Sequence, residues 1–191
     1  METRWRTQDI VVAAVIAVAF GVVFWAWNLV WAAAEPAFLA APPARNILYG
    51  VWLIPAVLGA LIIRKPGAAL FTELVAAIVS AILGSIWGLD TVLSGFMQGA
   101  AAELVFAFTG YRLWTLPLAA IAGAAAAAGA WLHDMPIYYA ELPLEAMLVI
   151  GAFMLVSAVV VAGVGSWLLM RSLAETGVLS GFPSGRTAGR V

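Results

Sequence analysis

Apolar residues fill this chain in six long blocks, at about residues 10–34, 47–63, 67–87, 91–108, 113–132 and 144–170. Short stretches carrying charge, proline or glycine separate them. Each block comes close to the ~20 residues that an α-helix needs to cross a hydrocarbon layer. A helix satisfies its own backbone groups there, whereas isolated strands would leave theirs unpaired. A closed barrel would alternate lumen-facing polar with lipid-facing apolar residues, and no such alternation runs through these blocks. The pattern therefore predicts an all-α integral membrane protein, a bundle of about six transmembrane helices forming one domain over residues 1–176. The fifth block contains an unbroken alanine run from 124 to 128, and such small side chains permit close helix contact, so this helix is expected among the others. The first block, about 25 residues, is too long for the apolar core of a cleaved signal peptide and is expected to remain as a span.

Composition agrees with the pattern: 65% of residues are hydrophobic, 10% are charged, and mean hydropathy is +1.05. A soluble domain is about a quarter charged, so this chain cannot be wrapped around one water-facing core. Nine basic residues and a net charge of -1 provide no basic face for nucleic acid. With no cysteine and one histidine, disulfide frameworks, thiolate nucleophiles and zinc-type Cys/His sites are excluded. No Walker A sequence is present, so ATP hydrolysis is not expected in this chain.

The cations orient the bundle. Arg4, Arg6, Arg64, Lys65, Arg112, Arg171, Arg186 and Arg190 fall on one side of a six-span topology and only Arg45 on the other. The positive-inside rule then puts both termini in the cytoplasm of a cell whose cytoplasmic membrane the chain crosses. The inner turns at 64–67 and 110–112 are tight, while the outer loops at 35–46 and 133–143 are longer and carry proline and aromatic residues. Such loops serve as lids or binding elements, or simply tolerate insertion. The Gly/Ser/Arg-rich segment 177–191 is expected as a flexible cytoplasmic tail.

Ionisable groups inside a span are costly and mark function. Two qualify, Glu73 in the third block and Glu103 in the fourth, each some 10–12 Å from the inner turns at 1.5 Å per residue. Their matching depth would let antiparallel neighbours present both carboxylates to one cavity. Glu73, Ser80 and Trp87 recur at i, i+7, i+14 and share a helix face, while Thr91, Ser94 and Gln98 form a second polar column. Gln98 and Glu103 are five residues apart, about 140° around a helix. Either the cavity is wide, or one of the two is structural. Asn28, near Trp27 and Trp31, needs a partner in a span, and Tyr49 and Trp52 share a face. Trp25, Trp114 and Trp167 read as interfacial belt residues. Aromatic faces beside carboxylates suit a flat cationic heteroaromatic ligand through stacking, cation–π attraction and countercharge. His133 and Ser94 lie at different depths, which argues against an intramembrane serine protease.

Three stretches carry a resemblance: Leu48 to Pro55, Ile63 to Ala69 together with Glu73, and Gly95 to Phe106 with its Gln98-Gly99-Ala100-Ala101-Ala102-Glu103 centre. Through them the chain resembles the YkoE family of S components of energy-coupling-factor (ECF) vitamin transporters, over about residues 8–175. The resemblance implies a non-enzymatic membrane subunit without a cofactor. Such a subunit captures thiamine or its hydroxymethylpyrimidine precursor from outside. Its partners would be a transmembrane coupling protein and cytoplasmic ATPases. It also implies ligand binding near the outer surface. On the chemistry of thiamine, Glu73 or Glu103 would accept from the aminopyrimidine or neutralise the thiazolium. Asn28 and Gln98 would meet ring nitrogen and amine, and Trp27, Trp31, Tyr49, Trp52 and Trp87 would stack. The family's small-xxx-small surface on the first helix would correspond to Ala13 and Ala17, meeting the coupling protein. The competing reading is a proton-coupled secondary transporter of a small cationic heterocycle, with Glu73 and Glu103 as its relay.

Overall fold

The computed structural model describes the backbone of residues 4–188 and the side chains of residues 4–185. The side chain of Arg186, and Arg190 with the last residues of the expected tail, lie outside the described residues. The described elements are helical throughout: α1 (Thr7–Ala34), a 3-10 turn (Glu35–Phe38), a 3-10 helix (Pro42–Leu53), α2 (Ile54–Ile63), α3 (Ala68–Ile82), α4 (Asp90–Phe108), α5 (Leu116–Tyr138), α6 (Leu144–Ser157), a π-helical segment (Ala158–Gly165), α7 (Ser166–Glu175) and α8 (Pro183–Ala188). Five of the resulting helical rods are long and apolar enough to cross a membrane, and Ala68–Ile82 is a shorter apolar sixth.

The core lies on α2, which is buried at every position from Pro55 to Ile63. A helix apolar on all sides belongs in an interior rather than at a surface, and here the other rods surround it. By contrast α1 exposes Val11, Val15, Val18 and Val22 and buries Ala13, Ala17, Gly21, Phe24, Asn28 and Trp31, one stripe along its length. That stripe packs on α3: a Cβ on Gly21 would lie 2.5 Å from the Val79 side chain. Close approach recurs where α5 meets the π-helical segment, since a Cβ on Gly123 would sit 2.6 Å from the Ala158 carbonyl oxygen. Small residues here let backbones touch, as membrane helices require.

Three elements depart from the hydropathy blocks. The second rod is not one α-helix: Pro42 and Pro43 open a twelve-residue 3-10 helix that becomes α-helical only at Ile54. Ser157 holds it from outside, accepting from the Gly50 amide at 2.9 Å and donating to the Ile47 carbonyl at 2.5 Å. The fifth helix runs on through His133, Asp134 and Pro136 to Tyr138, so most of the expected outer loop is its last turn and a half. The segment after Gly177 is a turn and the short α8 where a flexible tail is expected. Leu179, Phe182 and Ser184 are buried, and Ser184 donates to the Ile62 carbonyl at 3.1 Å.

Both ends of the described chain meet at the turn between α2 and α3. Lys65 pairs with the fully buried Asp9 at 2.6 Å, the Trp5 indole donates to the Pro66 carbonyl at 2.9 Å, and Gln8 donates to the Gly181 carbonyl at 3.0 Å. The Asp9 carboxylate also closes a capping box on the Arg6 amide, 2.7 Å away. The opposite end of the bundle is left open as a cavity.

Candidate functional site

The cavity measures about 300 Å3 and is walled by five elements. The α1 stripe supplies Phe24, Asn28 and Trp31, the 3-10 helix Arg45, Tyr49 and Trp52, and α3 supplies Glu73, Ala77 and Ser80. Trp87 and the start of α4 (Asp90, Thr91, Ser94, Gly95, Gln98) form another wall, and Asp134, Tyr138 and Tyr139 close the last side. The 3-10 geometry matters to this wall, because a three-residue turn stacks Asn46, Tyr49 and Trp52 along one edge. All three are buried.

The aromatic residues form a box in which rings meet edge to face. Trp52 contacts Trp31, Tyr49 and Trp87 with centroids 5.3, 5.3 and 5.4 Å apart, and the Arg45 guanidinium lies 4.4 Å from the Trp31 ring centre. Asn28 is spent on holding this box: it accepts from the Trp52 indole at 3.0 Å and donates to Ser85 at 3.2 Å. Gln98 donates to Ser94 at 2.7 Å and lies 3.4 Å from the Tyr49 hydroxyl. The sequence-predicted residues Asn28, Trp31, Tyr49, Trp52, Glu73, Trp87 and Gln98 are thus brought together. Trp27 is not: its indole donates to the Leu48 carbonyl at 2.9 Å, outside the lining.

The two intramembrane carboxylates separate. Glu73 is fully buried in the cavity wall. One oxygen accepts from the Ala56 amide at 2.9 Å, at the first turn of α2, and the other has no partner among the described residues. The Ser80 hydroxyl, two turns along the same face, is likewise buried and unpartnered. An unpaired buried polar atom carries a desolvation cost that a ligand can relieve. Glu103 instead leaves the cavity and caps α3, accepting from the amides of Gly67, Ala69 and Leu70 at 2.7, 2.8 and 3.3 Å and from the Tyr111 hydroxyl at 2.8 Å. Gly67 has no side chain to cap with, and Glu103 supplies the missing acceptor from the next helix. Burial, then the hydrogen bond to Glu103, pushes the Tyr111 hydroxyl up to about 12. Of the two intramembrane glutamates expected in one cavity, only Glu73 lines it.

The small-residue pair Ala13 and Ala17 is also reassigned. Both are fully buried in the α1 stripe facing α3 and present no surface to a partner.

Other carboxylates come from residues that the sequence pattern puts in a loop or at a block edge. Asp134 accepts from the Tyr49 hydroxyl at 2.6 Å and lies 2.8 Å from His133 Nδ1. His133 Nε2 lies 3.2 Å from Asp90, which also accepts from the Tyr138 hydroxyl. Burial, then the Asp134 charge, raises the Tyr139 hydroxyl above its ordinary value and keeps it a neutral donor. The signal was present: two acids and the chain's single histidine at the level of Trp87. Among the described residues no group of three or more His, Cys, Asp and Glu side chains could hold a metal ion.

Residues 8–129 match the family model described as "ABC-type cobalt transport system, permease component". The chain is 33% identical to YkoE of Bacillus subtilis (strain 168), whose name assigns it provisionally as an HMP/thiamine permease protein, over 95% of this chain and 91% of that one. A solved structure described as an S-component of an ECF transporter superposes with a TM-score of 0.92 at 32% identity, covering 98% of this chain and 94% of that one.

Proposed function

The chain belongs to the YkoE family of S components of energy-coupling-factor transporters, and on that premise we propose that its cavity captures thiamine or the hydroxymethylpyrimidine half of thiamine. It is a multi-pass membrane subunit that binds substrate for an ECF transporter. Its ligand enters from the outer face, and the ATP hydrolysis that drives uptake occurs on partner ATPases reached through a transmembrane coupling protein. The membrane is the cytoplasmic one and both termini are cytoplasmic, as the distribution of cations supports.

The observation that carries the ligand assignment is Glu73. Its carboxylate is anchored by Ala56 on one oxygen and unpaired on the other, in a cavity whose lining includes the aromatic residues Trp31, Trp52, Trp87 and Tyr49. A planar aminopyrimidine fits that combination: its ring stacks in the box and its exocyclic amine donates to the waiting oxygen. The test is quenching of the chain's nine tryptophans in detergent by thiamine and by hydroxymethylpyrimidine, confirmed calorimetrically. Saturable binding is expected, with Glu73→Gln weakening it about tenfold or more, the worth of a hydrogen bond to a charged group. Absence of binding by either compound would sink the assignment, and undiminished binding by Glu73→Gln would remove Glu73 from it.

A further inference from the structure

We infer that His133, which does not itself line the cavity, is a positioning residue that clasps the lining carboxylates Asp90 and Asp134, and that a cationic ligand seated against this pair exchanges with the His133 proton. The inference rests on the proposed capture of thiamine and deepens it by naming what senses the charge of the ligand.

The geometry is specific. Asp90 is the first residue of α4 and Asp134 lies in the last turn and a half of α5, and both line the cavity. The buried His133 ring spans them, with Nδ1 2.8 Å from Asp134 and Nε2 3.2 Å from Asp90. A neutral imidazole donates through one nitrogen only, so with both carboxyl groups ionised it is the doubly protonated ring that holds the two at once. The resting arrangement is then carboxylate, imidazolium, carboxylate, with one net negative charge. Around it, Tyr138 donates to Asp90 and Tyr49 to Asp134, while Tyr139 and Arg45 line the same cavity and Glu73 faces it from α3. Arg45 is paired with Glu35 at 3.2 Å. No further cation lines the cavity among the described residues.

A permanent positive charge placed beside Asp90 and Asp134 repels the imidazolium that they share. Binding of that charge and retention of the proton are therefore antagonistic, and linkage makes the antagonism reciprocal. A cationic ligand expels part of a proton on binding, so its affinity rises with pH while the free His133 titrates and levels off above that range. A neutral ligand of the same shape leaves the imidazolium in place and shows no such dependence.

The experiment is calorimetry on the full chain in detergent, in two buffers of different ionisation enthalpy, across about pH 6 to 8, the range in which histidine titrates. The ligands are thiamine and deazathiamine, whose neutral thiophene replaces the thiazolium while the aminopyrimidine is retained. Thiamine is expected to release a fraction of a proton and to bind about five- to tenfold more tightly at the upper end, the low end of the usual coupling between sites. Deazathiamine is expected to bind with neither effect. His133→Gln is expected to bind thiamine with a flat pH profile, whereas a merely structural role for His133 would weaken both ligands alike at every pH. If that variant does not fold, the buffer dependence of the parent protein decides alone. Proton release with both ligands, release with neither, or an unchanged slope in His133→Gln overturns the inference and leaves the capture of thiamine standing. Failure of both ligands to bind the parent overturns the capture itself, and the inference with it.

Discussion

Glu73 and Glu103 are chemically alike, equally visible as acids in apolar blocks, and differ in what surrounds them. Depth alone put them together. The helical phase between Gln98 and Glu103 held the information that separates them, because two side chains 140° apart cannot both face one cavity. The structure assigns Gln98 to the cavity and Glu103 to the α3 terminus, a choice that depends on Gly67 leaving amides uncapped in a different helix. No local pattern around Glu103 records that need. Glu103→Gln should therefore lower stability by about 1–3 kcal/mol, the cost of weakening hydrogen bonds to a charged acceptor. Thiamine affinity should stay within about twofold, since Glu103 is not among the lining residues. Thermal unfolding with and without ligand checks both, and a large loss of affinity at unchanged stability would return Glu103 to the binding wall. Tyr49 makes the complementary case. Its hydroxyl donates to Asp134 and its ring packs on Trp52, so Tyr49→Phe keeps the stacking face but releases Asp134. A several-fold loss of thiamine affinity is the expected outcome, with a loss of about 1–3 kcal/mol in stability from leaving Asp134 one donor short, measured by the same titration and by thermal unfolding.

Among the elements, hydropathy located the rods but not their internal geometry. Apolar residues satisfy a 3-10, an α- or a π-helix equally well in lipid, so the choice falls to contacts made from elsewhere. The 3-10 helix and the π-helical segment lie side by side, and Ser157 and Ser166 at the two borders of the π segment bond to Ile47 and Ile54. Runs of 3-10 structure beyond three or four residues are uncommon, and π segments cluster at functional sites. Here the 3-10 run carries Tyr49 and Trp52 into the cavity. Gly50 sits between them because a Cβ there would lie 2.5 Å from the Ser157 carbonyl oxygen. Ser157→Ala strips an acceptor from the buried Gly50 amide and should destabilise the fold by about 1–3 kcal/mol while weakening ligand binding, as the tyrosine and tryptophan lose their frame. Chemical or thermal unfolding in detergent, paired with the fluorescence titration, reads both effects, and a variant that binds and melts like the parent would show that Ser157 does not hold the element. The extension of α5 was hidden by similar logic. His133, Asp134 and Pro136 read as loop signals in sequence, yet Asp134 lines the cavity and His133 bonds to Asp134 and Asp90 rather than facing lipid, so the helix continues with its polar pair partnered.

For the whole molecule, the α1 stripe shows how a surface argument fails without a fold. Ala13 and Ala17 have the spacing of a helix-docking motif, and they are used for docking, but within the chain and against α3. Ala17→Leu should therefore collapse stability by overpacking a fully buried position, by about 1–3 kcal/mol or more, whereas the same change at the exposed Ala19 should be nearly neutral. Melting of the isolated subunit distinguishes the two, and equal melting of both variants would reopen Ala17 as a partner surface. The same long-range ties bear on orientation. Residues near both termini converge on the α2–α3 turn through Trp5–Pro66, Asp9–Lys65, Gln8–Gly181 and Ser184–Ile62, so the ends share one face of the membrane. That face carries Arg4, Arg6, Arg64 and Lys65, and the cavity mouth with Arg45 lies at the other. In the proposed orientation, which rests on the positive-inside rule, the shared face is cytoplasmic and the cavity external. Since the chain has no cysteine, single cysteines report position without background. Leu39→Cys, 73% exposed beside the cavity end, should react with a membrane-impermeant maleimide on intact cells, and the exposed Ser180→Cys only after the membrane is opened. The reverse labelling pattern would turn the cavity toward the cytoplasm, where it could not capture a vitamin arriving from outside.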